Sequence, residues 1–226
     1  MRKPHLASDE LREFVEKHAR GAPGMSRHTD TANGPTTGTV IVAFKYKDGV
    51  IMAADSQVSW GSKIFKYGFR KIVPVSICSA VGFAGSVADV QYIMEVYEQM
   101  LERFEFRTES TPLIGNQITM FKRLLRIFGQ VYGGYLSYQF IFAGAYPTKD
   151  PDERILVEFD SGGSRFTHKD FAVIGSGTLE AKAELERYFQ MHPPSELSLN
   201  KAVTLALEAI IASGANDLYV GHPLIA

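Results

Sequence analysis

The sequence predicts an α+β fold in which two β-sheets pack together and are covered by helices. The predicted elements run as strands, two helices, strands, two helices and a last strand, and the first two strands are nearly continuous apolar runs. Grouped strands and helices are typical of layered folds rather than of alternating βαβ units. Apolar residues on both sides of a strand indicate a sheet that is covered on both faces.

The strands can be placed one after another along the chain. The first two form a hairpin, because TVIVAFKY and VIMAAD are separated by Lys47-Asp48-Gly49, and an Asp-Gly turn between apolar runs is a strong hairpin signal. Short strands are predicted over residues 64–67, 71–75 and 77–83. Three more lie in YQFIFAGAY, RILVEFD and DFAVIG, and the last strand is predicted near Leu218.

Four helices are predicted in two consecutive pairs. The first begins at Ser86, with Asp89 at the position of a capping box, and its apolar residues recur at helical spacing. The second covers residues 114–132 with the same spacing. The other two lie in TLEAKAELERYF and LSLNKAVTLALEAII.

The first 38 residues differ in composition from the rest of the chain. ASDELREFVEKHAR predicts a short amphipathic helix, and GAPGMSRHTDTANGPTTG is rich in the residues of loops and linkers. A chain of 226 residues with 45% hydrophobic residues is expected to form one large core. We therefore expect a detachable segment over residues 1–38 and a single domain over residues 39–226.

Composition argues against several classes of function. The 24 Lys and Arg residues balance 25 Asp and Glu residues, so no net charge attracts nucleic acid or an anionic membrane. The chain has no HExxH motif, no P-loop, no GxGxxG and no GxSxG. With Cys78 as the single cysteine and no apolar run of about 18 to 20 residues, we expect a cytoplasmic protein without a disulfide within the chain.

Five short motifs occur in an order and spacing that match one family. They are Gly38-Thr39, MAADSQ with Asp55, FRKIVPV with Lys71, AGSVADVQ with Gly85, and IGSGTLEAK with Ser176. Together they resemble the β-type subunits of the proteasome core particle, which are N-terminal-nucleophile hydrolases. The resemblance implies a four-layer αββα sandwich, with residues 1–38 as a propeptide and residues 39–226 as the catalytic domain.

The resemblance also implies a threonine peptidase that is activated by cleavage between Gly38 and Thr39. A threonine at a new N-terminus supplies both a hydroxyl nucleophile and an α-amino base, since an α-amine titrates at about 7.7 to 8.0. Lys71 would place a positive charge beside the hydroxyl, and Asp55 would hold Lys71 in position. The backbone N–H of Gly85 would bind the oxyanion.

Two further residues complete the set that the resemblance implies. Ser176 and Asp217 would lie near the terminal amine, but Val220 stands where the family usually has a serine. The residues after Thr39 are apolar where the family often has further threonines, and the chain ends before the closing strands that we expect. Two alternatives stay open: a non-catalytic ring subunit, and a small-molecule amidase on the same fold.

The positions that would bind substrate carry no charge. They are Val58, Ser59, Phe69, Phe83 and Val87. Apolar lining predicts cleavage after large apolar residues, unless the two phenylalanines fill the pocket or are simply core residues. The resemblance implies no metal and no organic cofactor, and it implies as partners other β-type subunits in a heptameric-type ring, α-type subunits, an ATP-dependent unfoldase and unfolded polypeptides.

Overall fold

The computed structural model describes most of the chain after Thr37. The described residues are 12–13, 15–17, 38–60, 63–131, 138–146, 153–215, 217, 220–221 and 224–225. Most of the predicted N-terminal helix, the linker after it and the strand expected near Leu218 lie outside the described residues.

Among the described residues, the first half of the domain contains six strands followed by two helices. Their bounds are β1 Val40–Tyr46, β2 Gly49–Asp55, β3 Val58–Trp60, β4 Lys63–Lys66, β5 Ile72–Ser76, β6 Ser79–Gly85, α1 Val87–Thr108 and α2 Ile114–Val131. The described part of the second half contains five strands, two α-helices and a short 3₁₀ helix, Pro194–Glu196. Their bounds are β7 Tyr138–Ala145, β8 Arg154–Phe159, β9 Arg165–Thr167, β10 Phe171–Gly175, α3 Thr178–Phe189, α4 Leu199–Gly214 and β11 Leu224–Ile225.

The strands form two main antiparallel sheets and one small one. The four-stranded sheet has the order β10-β1-β2-β11, and the five-stranded sheet has the order β5-β6-β7-β8-β9. β3 pairs only with β4 in a separate hairpin among the described residues. The predicted hairpin of β1 and β2 is present, with Tyr46 opposite Gly49 at the turn.

Three clusters of buried apolar residues show that the molecule has four layers. One cluster lies between α1, α2 and the five-stranded sheet, a second lies between the four-stranded sheet and α3 and α4, and a third lies between the two sheets. Phe121 of α2 is near the centre of the first cluster, with its ring centroid 4.8 Å from Tyr97 and 5.0 Å from Phe140. The α+β, four-layer αββα prediction is therefore confirmed.

The continuous apolar sequence of β1 follows from this layering. Val40, Val42 and Phe44 pack against the helical layer of α3 and α4, whereas Ile41 and Ala43 face the other sheet. Successive side chains of a strand point to opposite faces. Both faces of β1 are covered by apolar layers, so neither set of side chains needs to be polar.

Some predicted boundaries were wrong. The strand predicted over residues 77–83 begins at Ser79, because Ile77 and Cys78 form the turn between β5 and β6, and Ile77 is fully exposed there. The short strands β3, β9 and β11 were not predicted. Ser86 precedes α1 as its N-cap, but its side chain makes no hydrogen bond to the helix backbone and instead bonds to the Asp89 carboxyl group.

One residue of the N-terminal segment packs with the domain. Val15 is 0% exposed and belongs to the cluster between α1, α2 and the five-stranded sheet. Arg12 and Glu16 form an ion pair of 2.9 Å on the exposed side of the same helical turn. At Val15, therefore, the segment is in contact with the core.

Among the helices of the described residues, none has the length and apolar character needed to cross a membrane.

Candidate active site

The candidate site lies at one end of the four-stranded sheet, where β1 begins and its neighbours β2 and β10 end. Thr39 directly precedes β1, Asp55 ends β2, and Ser176 follows β10. Because these strands are antiparallel, the start of β1 lies beside the ends of both neighbours, with Val40 opposite Gly175 and Ile41 opposite Ala54. This register brings Thr39 together with Ser176, although the two residues are far apart in the chain.

Asp55 is fixed as a hydrogen-bond acceptor in the interior of the site. Its Oδ1 accepts hydrogen bonds from Lys71 Nζ at 2.8 Å and from the Val40 amide at 3.0 Å. Its Oδ2 accepts from the Gln57 amide at 3.1 Å and the Gly221 amide at 3.5 Å. A buried carboxylate with several donors is held firmly in place, since these bonds replace the water that burial removes.

Lys71 is fully buried and points at the Gly38–Thr39 bond. Its Nζ donates a hydrogen bond to the Gly38 carbonyl oxygen at 2.9 Å, in addition to the bond to Asp55. Burial lowers the pKa of Lys71 to about 8, although the negative charges of Asp55 and Asp217 oppose this shift. Burial also raises the pKa of Asp55, and Lys71 opposes that shift. At pH 7 Lys71 is therefore mostly charged.

The backbone groups of Thr39 form hydrogen bonds, whereas its hydroxyl group has no hydrogen-bond partner among the described residues. The Thr39 amide donates to Ser176 Oγ at 3.2 Å, and the Thr39 carbonyl oxygen accepts from the Gly177 amide at 3.3 Å. Thr39 Oγ1 is buried and has no hydrogen-bond partner within the part of the chain that the structure describes. A buried hydroxyl without a partner costs free energy, so the position calls for an explanation.

Two glycines shape the edges of the site. Gly175 has a φ of 101°, and a Cβ atom there would overlap the Thr39 carbonyl oxygen. Gly85 has a φ of 127° and immediately precedes the N-cap of α1. Side chains are disfavoured at such positive φ values, so both positions require glycine for the observed backbone. The N-terminal end of α1 places a partial positive charge near Gly85.

Asp217 lies close enough to Lys71 for their charges to interact. Its amide donates to the Ser213 carbonyl oxygen at 3.0 Å, and its carbonyl oxygen accepts from the Val220 amide at 3.1 Å. Val220 is buried in the cluster below α3 and α4, so it supplies no hydroxyl group to the site. Ser213 supports the neighbouring loop instead, because its Oγ donates to the Gly177 carbonyl oxygen at 2.7 Å.

Of the five expected substrate-binding residues, two line a pocket and three do not. Phe69 and Phe83 line a pocket of about 310 Å³, and their ring centroids are 6.1 Å apart in an edge-to-face arrangement. Val58 and Ser59 are buried, Val87 is half-buried, and none of these three lines that pocket. The other lining residues were not predicted from the sequence; they are Gly68, Arg70, Val73, Gln91, Met94, Glu95 and Glu98.

Sequence reasoning also missed Gln57 and Ser213, which contact the site from outside the expected set. Neither residue belongs to a motif that stands out in the sequence, and only the position of Gln57 two residues after Asp55 could have suggested it. Across residues 38–60, 63–131 and the later described segments, no group of three or more His, Cys, Asp or Glu side chains could hold a metal ion.

Comparisons with known proteins agree with the fold and with the motifs. The family model described as "Proteasome subunit" matches residues 36–224. The chain is 33% identical over 200 residues to "Proteasome subunit beta 1" of Pyrococcus abyssi, covering 84% of this chain and 89% of that protein. It is 27% identical over 203 residues to "Proteasome subunit beta" of Stackebrandtia nassauensis, covering 86% and 69%. The chain belongs to the proteasome family, as a β-type subunit.

Proposed function

We propose that this subunit is a threonine-type endopeptidase, made as a precursor that cuts itself between Gly38 and Thr39. Residues 1–38 are then a propeptide, and residues 39–226 are the catalytic domain. The observation that supports this proposal best is the environment of that bond. The Thr39 hydroxyl group is buried without a partner among the described residues, while Lys71 Nζ lies 2.9 Å from the oxygen of the adjacent Gly38 carbonyl group.

The proposed self-cleavage proceeds through an ester. The Thr39 hydroxyl oxygen attacks the Gly38 carbonyl carbon, the C–N bond to Thr39 breaks, and the hydroxyl proton passes to the released amino group. Water then hydrolyses the ester, which leaves a carboxylic acid on Gly38 and restores the hydroxyl group of Thr39. The Lys71 ammonium group stabilises the negative charge that develops on the carbonyl oxygen, because it already donates a hydrogen bond there.

In the mature subunit the same residues would cleave peptide substrates. The free α-amino group of Thr39 accepts the hydroxyl proton, directly or through a water molecule, and the hydroxyl oxygen forms an acyl-enzyme with the substrate. Ser176 Oγ lies 3.2 Å from the nitrogen atom that becomes this amino group, so it can orient it. Gly85 contributes its N–H to the oxyanion, and Asp55 and Asp217 keep Lys71 charged.

Family membership places the subunit in an assembly with other proteasome subunits. We propose that this assembly consists of a heptameric-type ring of β-type subunits stacked on α-type subunits, and that an ATP-dependent unfoldase supplies unfolded polypeptides. A cytoplasmic location fits such substrates. No metal or organic cofactor takes part in the proposed hydrolysis, since the nucleophile and the base come from one residue.

The test is the N-terminus and the activity of the assembled protein. N-terminal sequencing should start at Thr-Val-Ile-Val, and the intact mass should lack residues 1–38. Thr39→Ala should retain the propeptide and abolish peptide hydrolysis, while Lys71→Ala should nearly abolish both reactions. Thr37→Ala is the matched control and should be processed normally. Turnover by purified Thr39→Ala protein would contradict the proposal.

A non-catalytic ring subunit is the second candidate, because buried Val220 leaves the site without the hydroxyl group expected there. Such a subunit would keep residues 1–38 in assembled rings and would show no hydrolysis above that of Thr39→Ala. The same mass measurement therefore separates the two candidates.

A further inference from the structure

The pocket lined by Phe69 and Phe83 adjoins the candidate active site. Gly68, Phe69 and Arg70 immediately precede Lys71, and Phe83 lies two residues before Gly85. The Phe83 amide donates a hydrogen bond to the Lys71 carbonyl oxygen at 3.0 Å. The pocket is thus built on the same two backbone segments that carry the proposed cation and the proposed oxyanion donor.

The inner part of the pocket is apolar. It is formed by Phe69, Val73, Phe83 and Met94, of which Phe83 and Met94 are almost completely buried. Such a surface can pack against the methylene groups of any long substrate side chain. The aromatic faces can also interact with a cation. The apolar residues alone therefore do not decide between a leucine and a lysine or arginine.

The helical side of the pocket carries negative charge. Gln91, Glu95 and Glu98 follow one another at spacings of four and three residues, so they lie along one face of α1. Glu95 and Glu98 are exposed, and neither forms an ion pair with any residue that the structure describes. Arg70 lines the pocket from another segment, so two carboxylates and one guanidinium group leave a net charge of one negative unit.

We propose that this pocket receives a basic substrate side chain, that of Lys or Arg, from the residue before the cleaved bond. The methylene groups pack on Phe69 and Met94, and the cationic end lies beside Glu95 and Glu98. A neutral apolar side chain would gain the same packing but no electrostatic attraction to the two exposed carboxylates. The inference rests on the proposed peptidase function, and it replaces the preference for large apolar residues that the sequence predicted.

The test compares fluorogenic peptides that differ only in the residue before the reporter group. The assembled protein should cleave after Arg and Lys with a higher kcat/KM than after Leu, norleucine or Glu. In the Glu95→Gln/Glu98→Gln double variant, kcat/KM for Arg should fall about tenfold, since each partly exposed ion pair is worth a factor of a few. The value for Leu should stay the same or rise. Glu102→Gln is the matched control, because Glu102 lies one turn further along α1 and does not line the pocket.

Three results would overturn the inference. They are a parent protein that prefers Leu or Glu to Arg, a double variant that lowers cleavage after Arg and Leu equally, and an effect of Glu102→Gln as large as that of the double variant. A second measurement separates this inference from the proposed function. Acetylated tripeptides ending in Arg or Leu, labelled with a fluorophore, are bound to the same protein and followed by anisotropy. Tighter binding of the Arg peptide without any turnover would support the pocket assignment and refute the peptidase; equal binding would refute the pocket assignment.

Discussion

Replacing Asp55 by Asn should destabilise the protein strongly while leaving its shape unchanged. The side chain is isosteric, but it removes the negative charge that lies 2.8 Å from Lys71 Nζ, and both side chains of this ion pair are fully buried. Removing one partner of a buried pair costs about 3 to 5 kcal/mol, because the remaining charge is left without compensation. The loss of unfolding free energy cannot exceed the cost of deprotonating Lys71, because deprotonation removes the uncompensated charge. For a lysine whose pKa in the unfolded chain is 10.5, releasing the proton at pH 7 costs about 5 kcal/mol.

The sign of the pH dependence follows from the same group. The pKa of Lys71 is about 8 in the folded parent and 10.5 in the unfolded chain. Between pH 7 and 8 the unfolded chain keeps the proton while the folded parent loses about half of it, so the parent gains only about 0.4 kcal/mol of stability over this range. In Asp55→Asn the pKa of folded Lys71 falls further, because Asp55 no longer opposes the effect of burial. The variant then gains about 1.4 kcal/mol of stability per pH unit over this range, so its deficit shrinks as the pH rises.

Urea unfolding measures this prediction in a Thr39→Ala background, in which every protein keeps residues 1–38. Glu186→Gln is the matched control, because the Lys182–Glu186 pair is 3.7 Å long and about half exposed, and its loss should cost less than about 0.5 kcal/mol. The double variant Asp55→Asn/Lys71→Met should lose less than the sum of the two single variants. A loss below about 1 kcal/mol for Asp55→Asn, or a deficit that grows between pH 7 and 8, would refute the reasoning.

Two further predictions concern the uncut chain. Val15→Asp should lower the free energy of unfolding of the Thr39→Ala precursor by about 2 to 3 kcal/mol, because it places a charge where a fully buried valine packs. Glu13→Ala, at an exposed position, should have almost no effect. Urea unfolding checks this, and equal effects of the two substitutions would show that the N-terminal segment does not pack there. The rate of self-cleavage should fall as the pH rises above about 8, because Lys71 then loses its proton and its charge. A time course of intact mass across this pH range checks this. A rate that keeps rising above pH 8 would indicate that Lys71 acts as a base instead.

The fold was predictable because its layers determine which positions of the sequence are apolar. The apolar runs of β1 and β2 and the helical spacing in α1 and α2 are caused by burial, and burial is what patterns of apolar residues report. The short strands β3 and β9 show no such pattern, since each has only three residues and β9 is exposed along its length. The apolar Ile77 extended the predicted strand into a turn because a sequence pattern does not distinguish an exposed isoleucine from a buried one.

The site was predictable only where it coincides with motifs. The positions of Thr39, Asp55 and Lys71 came from a resemblance in spacing, but no spacing predicts that Lys71 donates to the Gly38 carbonyl group. The carboxylates of the pocket could not be found in the same way. Glu95 and Glu98 have the pattern of an ordinary solvated helix face, and it is the position of α1 beside Phe69 and Phe83 that makes them part of a cavity.

The same packing that holds the two sheets together also gives the site its electrostatic character. Residues at the start of β1 and near the end of β2 belong to the apolar clusters on both faces of the four-stranded sheet, and the ion pair of Asp55 and Lys71 is fully buried. In such surroundings a charge interacts strongly with whatever lies nearest to it. In the uncut chain the Lys71 ammonium group donates hydrogen bonds to the Asp55 carboxylate and the Gly38 carbonyl oxygen. A substitution that opens the interface between the sheets near Ile41 would therefore weaken the hydrogen bond from Lys71 to the Gly38 carbonyl oxygen, even though it changes no residue of the site.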